Sequence, residues 1–188
     1  MNVGISLYVT HRKQWRFWLS QNHATASEIW LIYYRKESGK PRISYNDAVE
    51  EALCYGWIDS IAKPRDKQSW YQRFSPRIPK SVLSELNKER IRRLIRAKKM
   101  TRYGLDSIKQ HLTKGTSALK KFTLPKDILA VLKSNTAAWK NFQKFPAAYK
   151  SIRVGWIDHS RNRPQEFKKR LRYFITMTAA NRRFGTIR

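Results

Sequence analysis

A single cysteine, Cys54, stands in a chain of 188 residues. No disulfide can form within the chain, and such usage suits a reducing compartment, so a cytoplasmic setting is expected. Glycine is scarce too, with seven in all, and none falls into G-x-G-x-x-G, P-loop or G-x-S-x-G spacing. That leaves little material for a phosphate-cradling loop or a nucleophile elbow. No apolar run approaches the roughly 20 residues that cross a bilayer. The opening stretch "MNVGISLYVTHRKQWRFW" places its basic residues after the apolar ones, the reverse of a secretory signal. The histidines, His11, His23, His111 and His159, are scattered without metal-ligand spacing, so neither a metal nor another cofactor is expected. Close carboxylate pairs are few, and Glu50–Glu51 is expected on the solvent side of its helix. Cys54 sits in an apolar helical stripe, where a buried inert thiol is expected rather than a nucleophile. Nothing in the sequence calls for catalysis.

Negative charge is the scarcest chemistry. There are 13 Asp and Glu against 40 Lys and Arg, a formal net charge of +27. The excess is uneven: residues 1–78 carry 12 basic and 7 acidic side chains, residues 79–188 carry 28 and 6. Two explanations stand side by side. Lys and Arg neutralising phosphates release counterions, which makes a polyanion such as nucleic acid a plausible partner. A solvated basic surface of the kind that suits a host rich in basic proteins is the other.

What is plentiful is aromatic: seven Trp, nine Tyr and eight Phe. Rings of that size bury much area per residue and argue for a packed core in spite of the charge. Trp15, Trp18 and Leu19 fall at helical spacing, and "EIWLIYYRKESGK" reads as a strand running into a turn. Ser44 caps a helix whose stripe is Ala48, Val49, Ala52 and Leu53, and Gly56 is placed to close it in a left-handed conformation. "WIDSIA" and "SWYQRF" form a hairpin around "KPRDKQ", with Pro64 at the second position of a type I turn. An extended "SPRIPKS" leads to a long helix from Ser81 to about Lys99. Its apolar side is Leu83, Leu86, Ile91, Leu94 and Ile95. "LDSIKQHL" is a further short helix, and from Pro125 onward the pattern is helical, with Pro164 opening the last helix. The expected architecture is α+β. A core with a small antiparallel sheet occupies residues 1–115, and an α-helical unit occupies 122–188.

"GWID" occurs twice. The first copy ends a helix and enters a strand, whereas in the second Tyr149, Ile152 and Trp156 keep helical register. Different backbone states and unrelated flanks argue against a duplication.

The block "YNDAVEEALCYGWIDS", "RFSPRIPKS" and the helix that follows resembles the YdeI/OmpD-associated, or bacteriocin-protection, family. The likeness runs from about Trp15 to Leu112. "LPKDILAVLKSNTAAWKNFQKFPAAYKSIRVGWID" is similar to that family's closing helical part. Two departures stand out: Leu83 replaces a tryptophan, and Gln165, Glu166 and Phe167 follow Pro164 where Glu, Thr and Arg are usual. The resemblance implies protection against bacteriocins or cationic peptides and association with an envelope porin; it implies no reaction and no catalytic residues.

Two sets of candidate residues emerge. Trp57, Asp59, Trp70, Arg73, Arg77 and Lys80 form the first. In one reading the tryptophans wall a ligand pocket while the cations hold an anionic group. In the other, favoured reading, Asp59 pairs with an arginine such as Arg73, and Arg77 bonds carbonyls to fix the connector. Lys88, Arg92, Arg93, Arg96 and Lys99 form the second set, on the polar side of the 81–99 helix. They could track phosphates without reading bases, or they could simply be a solvated face.

Overall fold

The protein is described by a computed structural model covering residues 3–78, 81–112, 119 and 122–185. Two compact units make it up: Met1–Ser81 with Arg90–Leu119, and Val82–Glu89 with Lys120–Arg188.

In the first unit the chain runs β1 (Ser6–Leu7), α1 (Arg12–Asn22), β2 (Ile29–Tyr34), α2 (Tyr45–Cys54), β3 (Trp57–Asp66) and β4 (Ser69–Pro76). The strands form one sheet in the order β1-β2-β4-β3, with β1 parallel to β2 and the other pairs antiparallel. Residues paired across a ladder share a face. Ile29, Leu31 and Tyr33 therefore lie with Phe74, Gln72 and Trp70 on one side. This is the side α1 and α2 pack against. The Trp15 ring stands 5.4 Å from Phe74, its Nε1–H donates to the Ala48 carbonyl at 3.0 Å, and Trp18 meets Trp57 at 5.7 Å. Leu19, Ala48, Val49, Ala52 and Leu53 are buried there. Ser44 caps α2 as expected, its hydroxyl accepting the Asp47 N–H at 3.1 Å. Gly56 follows with φ +76°, a conformation open to glycine and costly for other residues.

Four expectations are corrected. Pro64 is not in the turn: β3 continues through it to Asp66, and the reversal is at 67–68, where Asp66 Oδ1 accepts the Gln68 N–H at 2.7 Å. β3 is an edge strand of the sheet and is irregular between Pro64 and Asp66, so a residue without an N–H is tolerated. The long helix, α3 (Glu85–Arg96), starts three residues later than expected, because Ser84 rather than Ser81 supplies the cap, accepting the Asn87 N–H at 3.3 Å. The short helix α4 (Arg102–Ser107) starts early, at a Thr101 cap. Glu51 does not face solvent; it is 3% exposed, beneath Arg12 and Arg16 of α1.

The second unit contains α5 (Lys126–Ser134), α6 (Thr136–Lys144), α7 (Ala147–Asp158) and α8 (Pro164–Ala179). Ile128, Leu132, Phe142, Tyr149, Ile157 and Phe174 form its core. Asn135 caps α6 by accepting the Ala138 N–H at 2.9 Å. Asn141 donates to the Thr178 and Ala179 carbonyls at the end of α8, each at 3.1 Å. The second "GWID" lies inside α7, with Ile157 fully buried and Trp156 half-buried. Among the described residues no helix is long and apolar enough to cross a membrane.

Candidate functional site

The hairpin separates Asp59 from Arg73. Asp59 pairs in register with Phe74, so it shares the helix-covered face, while Arg73, one residue away on β4, points through the other side of the sheet. Asp59 accepts from the Tyr45 hydroxyl. Arg73 donates to Glu28 at 2.6 Å and to Ser60 Oγ at 3.3 Å. Trp57 is buried, with its indole N–H on the His23 carbonyl at 3.0 Å. Arg77 donates to the Ser81 carbonyl and hydroxyl at 3.3 and 3.0 Å, holding the connector; burial pushes its pKa down. Lys80 lies outside the described residues.

Of this first set only Asp59 and Trp70 share the helix-covered face in a polar setting, and they come with residues the sequence did not mark. Trp70 stacks on Tyr33 at 5.4 Å and lies under the Arg42 guanidinium at 5.1 Å. Buried Arg90 donates to Asn46 Oδ1 at 2.5 Å. The Tyr33 hydroxyl is buried with no hydrogen-bond partner among the described residues. Burial holds both the Tyr33 and Tyr45 hydroxyls protonated above the ordinary tyrosine range, with Asp59 adding to the effect at Tyr45. The signal for Tyr45 was its place next to the Ser44 cap; Arg90 and Asn46 come together only through the tertiary fold.

The cations of α3 are largely engaged. Lys88 pairs with Glu85, and Arg93 donates to Glu50 at 3.1 Å. Arg92 and Arg96 also have side-chain interactions. Lys99 is exposed, its carbonyl accepting from Arg16 at 3.2 Å.

A more open basic site lies on α8. A groove of about 890 Å³ runs along this helix, lined by Trp156 of α7 and by Glu166, Lys169, Arg172, Tyr173 and Thr176, with Lys168 beside them. Positions 165, 169, 172, 173 and 176 recur every three or four residues, which places them in one row. Its floor is aromatic: Tyr173 and Trp156 meet the Phe184 ring at 4.8 and 5.9 Å. Arg170 is anchored, over the Trp156 ring at 4.5 Å and bonded to Glu166 at 2.7 Å and the Trp156 carbonyl at 2.8 Å. Lys168, Lys169 and Arg172 are exposed and form no ion pair at contact distance among the described residues, while Glu166, held below the ordinary carboxylate range chiefly by Arg170, also feels Lys169. The sequence named no candidate on this helix; Gln165 and Glu166, noted there only as departures from the family pattern, both line this groove.

Among the described residues, no group of three or more His, Cys, Asp or Glu is arranged to hold a metal ion. The family model described as bacteriocin-protection, YdeI or OmpD-associated matches residues 121–181, in agreement with the resemblance of the closing helices. Residues 7–107 match a model described as a domain of unknown function (DUF8412). No curated protein and no solved structure matches the chain.

Proposed function

The chain belongs to the family described as a domain of unknown function (DUF8412), and we propose that it acts without catalysis, as a cytoplasmic bacteriocin-protection-like protein holding an anionic partner on a basic surface. One observation carries this reading: Lys168, Lys169 and Arg172 are exposed along an aromatic-lined groove and form no ion pair at contact distance among the described residues. Residues 120–188 hold 17 basic and 3 acidic side chains, so the surrounding field is positive throughout. Binding of this kind is driven by counterion release, so it weakens steeply with salt and reads little sequence. The test is the triple variant Lys168→Glu, Lys169→Glu, Arg172→Glu. It should elute from heparin at lower salt than the parent, with the slope of log K against log salt reduced by about 2–3. Elution identical to the parent sinks the reading. Cell fractionation checks the compartment, where recovery in the membrane fraction contradicts it.

A second reading keeps Asp59 and Trp70 in a small-molecule site and gives up Arg73. The buried Tyr33 hydroxyl, without a hydrogen-bond partner among the described residues, favours it. It calls for saturable thermal shifts with a small anionic or zwitterionic compound that vanish in Asp59→Asn, while heparin binding is unchanged.

A further inference from the structure

We infer that the sheet face turned away from α1 and α2 is a platform for single-stranded nucleic acid, with bases stacking on Tyr34 and Tyr71 and phosphates meeting Lys40, Lys63 and Arg65. This goes beyond the groove on α8, and the two share only the polyanion. The register builds the face. Trp30 pairs with Arg73, Tyr34 with Ser69, and Tyr71 with Lys63, so these side chains emerge on one side of the sheet. Tyr8, just after β1, reaches the same side and meets Tyr34 edge-on at 5.3 Å; Trp30 meets Tyr71 at 6.4 Å. Tyr8 is 40% exposed, Tyr34 and Tyr71 are partly buried and less exposed than Tyr8, and Trp30 is buried.

Cations cover these rings. The Lys40 ammonium stands 4.5 Å over Tyr34 and that of Lys63 stands 4.8 Å over Trp30. The Arg65 guanidinium reaches both Tyr34 and Tyr71, at 5.8 and 6.0 Å, and donates to the Tyr34 hydroxyl at 3.2 Å. Two carboxylates lie at the margins: Glu28 is bound by Arg73 and the Trp30 indole, and Asp66 is 3.5 Å from Arg65. The face is therefore aromatic with a net positive charge. Cation–ring contacts at exposed sites are weak. A nucleotide can replace both halves of each, giving its base to the ring and its phosphate to the cation. Stacking on a ring tolerates any base, because every base has a π-face. A duplex keeps its base faces stacked inside and would use the cations alone, leaving the rings without a role. The carboxylates of an acidic peptide offer charge without aromatic faces to stack on the rings. Single strands are the occupant that uses both features.

The test compares a labelled oligothymidylate of about twelve nucleotides with the matching duplex and with heparin, by fluorescence anisotropy. The parent should bind the single strand more tightly than the duplex. Tyr71→Ala and Tyr34→Ala should each weaken single-strand binding about 5- to 150-fold while leaving heparin binding as in the parent. Tyr71→Phe keeps the ring and should bind like the parent. Tyr71→Leu keeps the bulk without the π-face, and should weaken binding as alanine does even where alanine disturbs folding. Equal affinity for single strand and duplex, or undiminished single-strand binding in the leucine and alanine variants, overturns the inference. Heparin binding that survives those results leaves the α8 reading intact. Loss of heparin binding in the α8 triple variant, with oligothymidylate binding kept, separates the two surfaces in the other direction.

Discussion

Gly104 and Cys54 are where single atoms decide most. A Cβ built on Gly104 would lie 2.2 Å from the Cys54 carbonyl oxygen, far inside contact, so α4 can approach the end of α2 only with glycine there. Gly104→Ala should destabilise the fold by about 1–3 kcal/mol through overpacking, read as a lower urea midpoint at unchanged m. In the sequence this residue was an unremarkable glycine ahead of a short helix, because its constraint comes from a carbonyl 50 positions earlier. Cys54 itself is fully buried, and burial, with nearby Glu51, pushes its thiol up to about 11. An ordinary thiol titrates near 8.5, so between those values the folded state holds a proton the unfolded state has lost. The contribution is complete below about pH 8.5 and is lost as pH rises toward 11. Stability should fall across that window by up to about 1.4 kcal/mol per pH unit and recover in part in Cys54→Ala. Urea titrations at several pH values check this, and a flat profile contradicts it. The inert thiol was legible in the sequence from the stripe of Ala52 and Leu53 around it.

At the level of elements, α1 and α2 are joined by charge as well as by packing. Arg12 reaches Asp47, Glu50 and Glu51 at 3.0, 3.2 and 2.7 Å, and Arg16 reaches Glu51 at 2.7 Å. Glu51 is the buried member, so Glu51→Ala leaves Arg16 without its carboxylate and Arg12 with only Asp47 and Glu50. A loss of about 3 kcal/mol is expected, the low end for a broken buried pair because both arginines retain access to water. Thermal or urea unfolding measures it, and a change below about 1 kcal/mol would mark the network as a surface one. Periodicity identified α2 and its cap, yet it put Glu51 outside. The reason is that an amphipathic pattern describes a helix against one neighbour, and α1 covers a second side. The hairpin teaches the same lesson. Its two strands could be read from composition, but the reversal moved from Pro64 to 67–68, and that shift in register set which face Asp59 and Arg73 occupy.

Across the molecule, the formal charge of +27 acts on stability through self-repulsion, which bound anions relieve. Polyanions that bind only the folded chain add to this by mass action, about 2.7 kcal/mol at a hundredfold excess over Kd. Heparin should therefore raise Tm in a concentration-dependent way, and sulfate should raise it more than chloride at equal ionic strength. The α8 triple variant should respond less to heparin. A Tm indifferent to heparin in the parent would show that no such site is occupied in the folded state.

The sequence alone determined the class of the molecule: an α+β arrangement with a helical C-terminal region, the buried thiol and the concentration of positive charge toward the C-terminal side. These follow from local propensity, spacing and composition, which need no knowledge of distant contacts. Tertiary structure alone decided which charges remain available. Carboxylates far apart in sequence came to neutralise Arg12, Arg73 and Arg93, while Lys168, Lys169 and Arg172 form no ion pair at contact distance among the described residues. It also decided which aromatics became core and which became surface: the pleat of β2 sends Tyr33 and Tyr34 to opposite sides, and the packing of α1 and α2 on one side makes Tyr33 the core residue.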